Sequence, residues 1–210
     1  MRIVAPRRVL RFALQWSQYL LFAGGAAMLG YSSFALADAL YFQRQGRLQL
    51  QQAVTDREAG LPGTHQTAVL HRTHTLPPPA VPGIIGRIEI SRLGLEVIVA
   101  EGVDSRTLRR AAGHIPGTAL PGQLGNIGIS GHRDTFFRPL RDVRRNDEIK
   151  LITPAGEFRY RVASTRVVEP QDVGVLDPGE GESLTLVTCY PFYYVGPAPG
   201  RFIVRAERVL

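Results

Sequence analysis

At 210 residues, with a formal net charge of +7 and a single cysteine, the chain has room for one compact domain plus attachments. The charge is uneven: residues 1–81 hold eight arginines against three acidic residues (Asp38, Asp56 and Glu58), whereas the remainder is close to balance. The folded part therefore lacks the basic face a polyanion binder needs, and no nucleic-acid partner is expected.

Arg2, Arg7, Arg8 and Arg11 precede an uncharged run from Phe12 to Ala37. Such a run is long enough to cross a bilayer, which takes about 20 apolar residues. Trp16, Tyr19, Tyr31 and Tyr41 lie toward its ends, where amphipathic rings favour the interface. Arginines ahead of the span and few charges after it predict a single-pass cell-membrane anchor with a cytoplasmic N-terminus and an extracytoplasmic C-terminal part. Ala35-Leu36-Ala37 also matches a signal-peptidase site, but the run exceeds the ~7–15 residues of a signal sequence's apolar core. An uncleaved anchor over 12–37, after a basic cytoplasmic stretch over 1–11, is the favoured reading. Residues 42–56 suit a short helix leaving the membrane. Residues 57–83 carry Pro62, Pro77-Pro78-Pro79 and Pro82 without apolar periodicity, the composition of a stiff spacer. The juxtamembrane segment and spacer thus occupy 38–81. His65, His71 and His74 fall in the spacer at intervals that fit no compact metal site, and neither metal nor cofactor is expected.

From residue 82 to 210 the pattern is that of one domain of short strands. Residues 86–93 and 95–102 flank a turn at Gly94. Residues 105–113 read as one helix, with a Ser or Asp cap and a Gly stop. His114 to Gly122 is rich in turn residues and reads as loop. Residues 147–153 and 157–164 form a hairpin across Pro154-Ala155-Gly156, with Phe158, Tyr160 and Val162 on one face. Seven or eight strands and one short helix give an all-β class, a barrel or sandwich.

Three strand ends carry chemistry. In Asn126–His132, Ile127 and Ile129 share one face while Ser130 and His132 share the other. Leu184 and Leu186 alternate with Thr185 and Val187, and Cys189 closes that strand because Pro191 has no N–H to extend the ladder. Arg201 and Arg205 oppose Phe202, Val204 and Ala206. A lone cysteine is most often a small buried hydrophobe. Outside the cytoplasm, however, an unpaired one is a candidate reactive thiol. A guanidinium or imidazolium nearby favours thiolate, imidazole can deliver a proton to a leaving amine, and a guanidinium can stabilise an oxyanion.

The strings TLVTC (185–189), ISGHRD (129–134), GHIPGTALPG (113–122) and CYPFYYVGPAPGRFIVRAE (189–207) resemble the sortases, cysteine transpeptidases of bacterial surfaces, and within them class D. The resemblance spans about the C-terminal 130 residues and implies a sortase-type closed β-barrel. It further implies that Cys189 attacks the Thr carbonyl of an LPxTG- or LPxTA-like sorting signal, forming a thioacyl enzyme. His132 would exchange the proton with the departing and incoming amines, and Arg201 would orient substrate and stabilise the oxyanion. The implied partners are surface proteins with a C-terminal LPxT-type signal and an amine acceptor, a cell-wall peptide or a protein lysine. Thr188 would help shape the site. Among competing assignments, His114 reads as loop architecture, Arg205 as structural and Asp134 as a turn cap. Tyr193 and Tyr194 either wall a groove or pack under the loop. A non-catalytic, membrane-tethered binding module remains the alternative of a different class. L,D-transpeptidases carry their cysteine in a SHGxxN-type context, which is absent, and papain-like proteases place cysteine before histidine, the reverse of the order found.

Overall fold

Alternating side chains and the barrel they close are seen in a computed structural model that describes residues 7–59, 83–179 and 181–209. Eight strands follow one another as β1 (Ile84–Ile90), β2 (Leu95–Glu101), β3 (Ala112–His114), β4 (Gly125–Ser130), β5 (Glu148–Thr153), β6 (Gly156–Val168), β7 (Glu182–Tyr190) and β8 (Gly200–Val209). They form a closed barrel in the order β1-β2-β3-β4-β7-β8-β6-β5. Two neighbouring pairs, β2/β3 and β4/β7, are parallel and the rest are antiparallel. The barrel is filled by Ile88, Ile90, Ile127, Ile129, Leu151, Leu184, Leu186 and Val204, all essentially inaccessible. Each such side chain contributes about 1.5–3 kcal/mol on burial, so the period-2 pattern fixes which face of every strand turns inward.

Two long helix-forming stretches behave differently from expectation. In place of a span and a separate short helix, α1 runs unbroken from Arg7 to Ala59. The chain divides into two compact units, residues 1–40 and Tyr41–Leu210. In the first, Leu20, Leu21, Phe22, Met28 and Leu29 are all exposed, and a helix this long and apolar fits a membrane anchor. In the second, Gln43, Gly46 and Leu50 recur at i, i+3 and i+7, so they share one helical face, and all three are buried. Gly46 lies so close to Ile98 that a methyl group there would meet its Cγ1 at 3.0 Å. Gln43 donates to the Arg110 carbonyl at 2.7 Å and accepts from the Ile98 N–H at 3.0 Å, an amide on β2. The end of α1 is thus part of the barrel unit. The proline-rich spacer and its three histidines lie outside the described residues apart from the helix end at 57–59.

The expected helix over 105–113 is shorter: α2 spans Ser105–Arg110, capped by Asp104, whose carboxylate accepts from the Arg106 and Thr107 amides. Ala112–His114 instead enter the sheet between β2 and β4, because ladder bonds on both sides outweigh one more helical turn. The reading of His114 as loop is corrected accordingly. β6 runs past the expected 164 to Val168, where its residues are largely exposed and pairing with β8 alone holds them. The turn at Gly94 is as expected, with φ of 60°, a left-handed value that favours glycine.

Candidate active site

Strand direction gathers the three candidate residues at one pole. Because β4 and β7 are parallel, their C-terminal ends meet; because β8 is antiparallel to β7, its beginning meets them. Each β4 residue faces the β7 residue 57 positions later, Ser130 opposite Val187. The pairing persists one step beyond the strand, since the Gly131 amide donates to the Val187 carbonyl at 3.1 Å and the Thr188 hydroxyl donates to the Gly131 carbonyl at 2.7 Å. His132 is the next residue along, at the same end of the barrel as Cys189. Across the other edge, Cys189 is the ladder partner of Arg201.

The three also share a face. Leu184, Leu186 and Thr188 of β7 point into the barrel, which leaves Thr185, Val187 and Cys189 outside. Cys189 is a free, half-buried thiol. Arg201 is half-buried and donates to the carbonyls of Gly200 at 3.0 Å and Ala198 at 3.4 Å. Among the described residues no carboxylate forms an ion pair with it, so its charge is not neutralised locally. His132 is exposed, and its own carbonyl accepts from the Phe137 amide at 3.1 Å, which folds the following chain into a tight loop. That loop closes on Gly131, where a methyl group would lie 2.7 Å from the Phe137 ring. Phe137 is fully buried, so the chain approaches it as only glycine can. A thiol, an imidazole and an uncompensated guanidinium around one pole can attack a carbonyl, stabilise the resulting oxyanion and relay a proton.

Other sequence candidates fall elsewhere. His114 is 3% exposed with both ring nitrogens engaged, Nδ1 with Glu101 at 2.9 Å and Nε2 with the Ala119 carbonyl and the Thr118 hydroxyl, both at 3.0 Å. Arg205 is half-buried and donates to the Thr185 hydroxyl at 3.1 Å, and burial lowers its pKa. Asp134 is exposed and pairs with Arg133. Tyr193 and Tyr194 are both exposed, and the Tyr193 hydroxyl accepts from Arg141 at 2.7 Å. Beneath them Phe192 and Phe202 meet edge-on with centroids 5.3 Å apart, which supports the chain leaving Cys189. The residue missed from sequence is Arg133. It reads as a solvated loop charge beside His132, yet it is buried. No local signal marks it, because it lies in the turn after β4 and its partners are carbonyls of the loop that follows Cys189.

Among the described residues, no group of His, Cys, Asp or Glu could hold a metal ion. A cavity of about 410 Å³ between Val54, Arg57 and Pro154-Ala155 lies at the β5–β6 turn. That turn is at the opposite pole and contains none of the candidate residues.

A closed barrel with a thiol, an imidazole and a guanidinium at one pole defines a cysteine acyl-transfer enzyme as the class. A sortase-domain family model matches residues 88–209. Sortase D of Bacillus subtilis (strain 168) is 32% identical over 188 residues, covering 89% of this chain and 94% of that one. Sortase SrtE1 of Streptomyces coelicolor is 35% identical over 123 residues, 50% of this chain and 35% of the relative. Among solved structures, a Clostridium perfringens Sortase D5 transpeptidase aligns with a TM-score of 0.55 at 32% identity, covering 60% of this chain and 79% of that one. Sortase C-1 from Actinomyces oris aligns with a TM-score of 0.57 at 29% identity, covering 62% and 76%. The chain belongs to the sortase family, whose members are cysteine transpeptidases.

Proposed function

We propose that the chain is a membrane-anchored transpeptidase that cuts an LPxTG- or LPxTA-like sorting signal after Thr and joins the new carboxyl end to an amine at the cell surface. Cys189 Sγ adds to the Thr carbonyl carbon, Arg201 holds the oxyanion, and collapse breaks the C–N bond while His132 gives the leaving amine its proton. An acceptor amine then adds to the thioester, His132 takes its proton, and the C–S bond breaks to return the thiolate. The N-terminus lies in the cytoplasm and the barrel outside, as the arginines before the span favour. The observation that carries this reading is the register: Cys189 opposite Arg201, with the Gly131-His132 segment bonded to Val187 and Thr188 on the other edge.

The test uses the full chain in detergent, a panel of LPxTG and LPxTA peptides, and glycine peptides as amine, with Cys189→Ala alongside. The expected result is an intact-mass thioacyl adduct on Cys189 that disappears faster with amine, yielding the ligated peptide. A folded protein whose Cys189 alkylates with iodoacetamide but never acquires an adduct would overturn the reading.

A further inference from the structure

Arg133 is 6% exposed as a residue and points back from the His132 segment into the loop that follows Cys189. Its Nη1 donates to the Pro191 carbonyl at 3.0 Å, and its Nη2 donates to the carbonyls of Tyr194 at 2.6 Å and Gly196 at 3.1 Å. The Tyr194 ring lies 5.9 Å from the guanidinium carbon, and the largely exposed Asp134 carboxylate is 3.5 Å from Nε. A planar fork of five donors suits three carbonyls pointing at one spot, which an ammonium cannot span in the same geometry. Backbone bonding holds the loop weakly: Tyr193 to Pro197 are exposed, and among the described residues the one backbone hydrogen bond within it runs from the Tyr194 amide to the Pro191 carbonyl at 3.4 Å. Side chains anchor it instead, Phe192 on Phe202 and Arg201 at the Ala198 carbonyl near its ends and Arg133 at three carbonyls. A buried charge left without its partners is costly, so the loop and the guanidinium order each other.

Gly131 is bonded to β7 and Arg133 to the loop, so His132 between them is fixed at both sides while its side chain stays exposed. We propose that Arg133 is a positioning residue of the site, a guanidinium clamp that locks the segment carrying His132 to the loop leaving Cys189 and so sets the imidazole against the thiol. The proposal rests on the transpeptidase reading for its kinetic consequence, but the clamp itself does not. Arg141, whose Nη1 donates to the Tyr193 hydroxyl, is a second and exposed link between the same two stretches.

The experiment compares wild type, Arg133→Lys and Arg133→Ala in the full chain in detergent. Misplacement by about 1 Å costs roughly 100-fold in turnover, so kcat is expected to fall about 100-fold in Arg133→Ala and about 10-fold or more in Arg133→Lys. KM should stay within about threefold, because the clamp sets the reacting groups rather than the peptide's binding surface. Added guanidinium ion at millimolar level should restore part of the Arg133→Ala rate and leave wild type unchanged. Hydrogen exchange should quicken together in 131–137 and 190–199 and nowhere else in the barrel. Should Arg133→Ala not fold, Arg133→Lys decides: kcat equal to wild type overturns the proposal, as does a fall in KM-weighted binding alone or exchange that quickens in only one of the two segments. A wild type that forms no thioacyl adduct defeats the transpeptidase reading instead, and the exchange pattern then still tests the clamp.

Discussion

Replacing Gln43 by Ala tests whether the end of α1 is built into the barrel. The side chain is 6% exposed and satisfies two backbone groups, the Ile98 N–H and the Arg110 carbonyl. Each buried group left without a partner costs about 1–3 kcal/mol, while Ala gains only a few tenths of a kcal/mol (about 0.3) over Gln in helix propensity. The net loss is therefore about 2–6 kcal/mol, which for a unit of this size lowers Tm by roughly 4–24 °C. The assay is near-UV circular dichroism melting of the full chain in detergent, with Gln45→Ala as control. Gln45 lies on the same helix but bonds only to the exposed Tyr41 hydroxyl, so its loss should shift Tm by less than about 2 °C. Equal shifts for the two variants, or no shift for Gln43→Ala, would refute the reasoning and return residues 41–59 to the status of a mere connector.

Three further outcomes are expected. Gly131→Ala forces a methyl group against the buried Phe137 ring; about 1–3 kcal/mol of destabilisation should appear in thermal melts, together with a fall in peptide turnover. Thr188→Val keeps the shape but leaves the Gly131 carbonyl without its 2.7 Å donor, for a loss of about 1–3 kcal/mol, read by the same melts. Asp147 accepts two N–H groups of Arg92, both at 2.6 Å, and its hydrogen bond with that guanidinium holds its carboxyl below the usual range. A depressed folded value means the stabilisation is present above the unfolded carboxylate value of roughly 3.9 and is lost as pH falls through the folded value. Tm measured against pH should therefore drop more steeply in that acidic window for wild type than for Asp147→Asn; parallel curves would refute it.

How much of this was legible in the sequence depends on whether a residue's partners lie nearby in the chain. The strand faces were legible, because Ile127/Ile129 and Leu184/Leu186 follow the pleat whatever they pair with. The end of α2 was not: residues 111–113 suit a helix locally, and only the distant β2 and β4 make them extended. The joining of α1 to β2 was hidden for the same reason, since Gln43 in a Gln-rich stretch looks solvated until Ile98 and Arg110 are placed beside it. Arg133 is the sharpest case. Its neighbours in sequence are charged or polar, whereas its ligands are carbonyls some sixty residues downstream.

The contrast between Arg201 and Arg205 shows why register governs what chemistry a residue can offer. Both sit on β8, on the same outer face, four ladder positions apart, opposite Cys189 and Thr185 respectively. Thr185 already belongs to a buried network: its hydroxyl donates to Asn126 Oδ1 at 2.8 Å, and Asn126 Nδ2 donates to the Val175 carbonyl at 3.2 Å. Arg205 joins that network through the same hydroxyl, and its partial burial disfavours its charge. Arg201 meets no such network. It stands where β8 opens, against backbone carbonyls only, and its nearest ladder neighbour is the thiol. A shift of β8 by two residues would set Ile203 opposite Cys189, and a shift by four would put Arg205 there. A shift by one would turn both arginines into the core, which the inward set Phe202, Val204 and Ala206 forbids. The hydrophobic alternation of β8 thus holds a guanidinium level with Cys189, and the loop clamped by Arg133 is what spans the gap between the two strands.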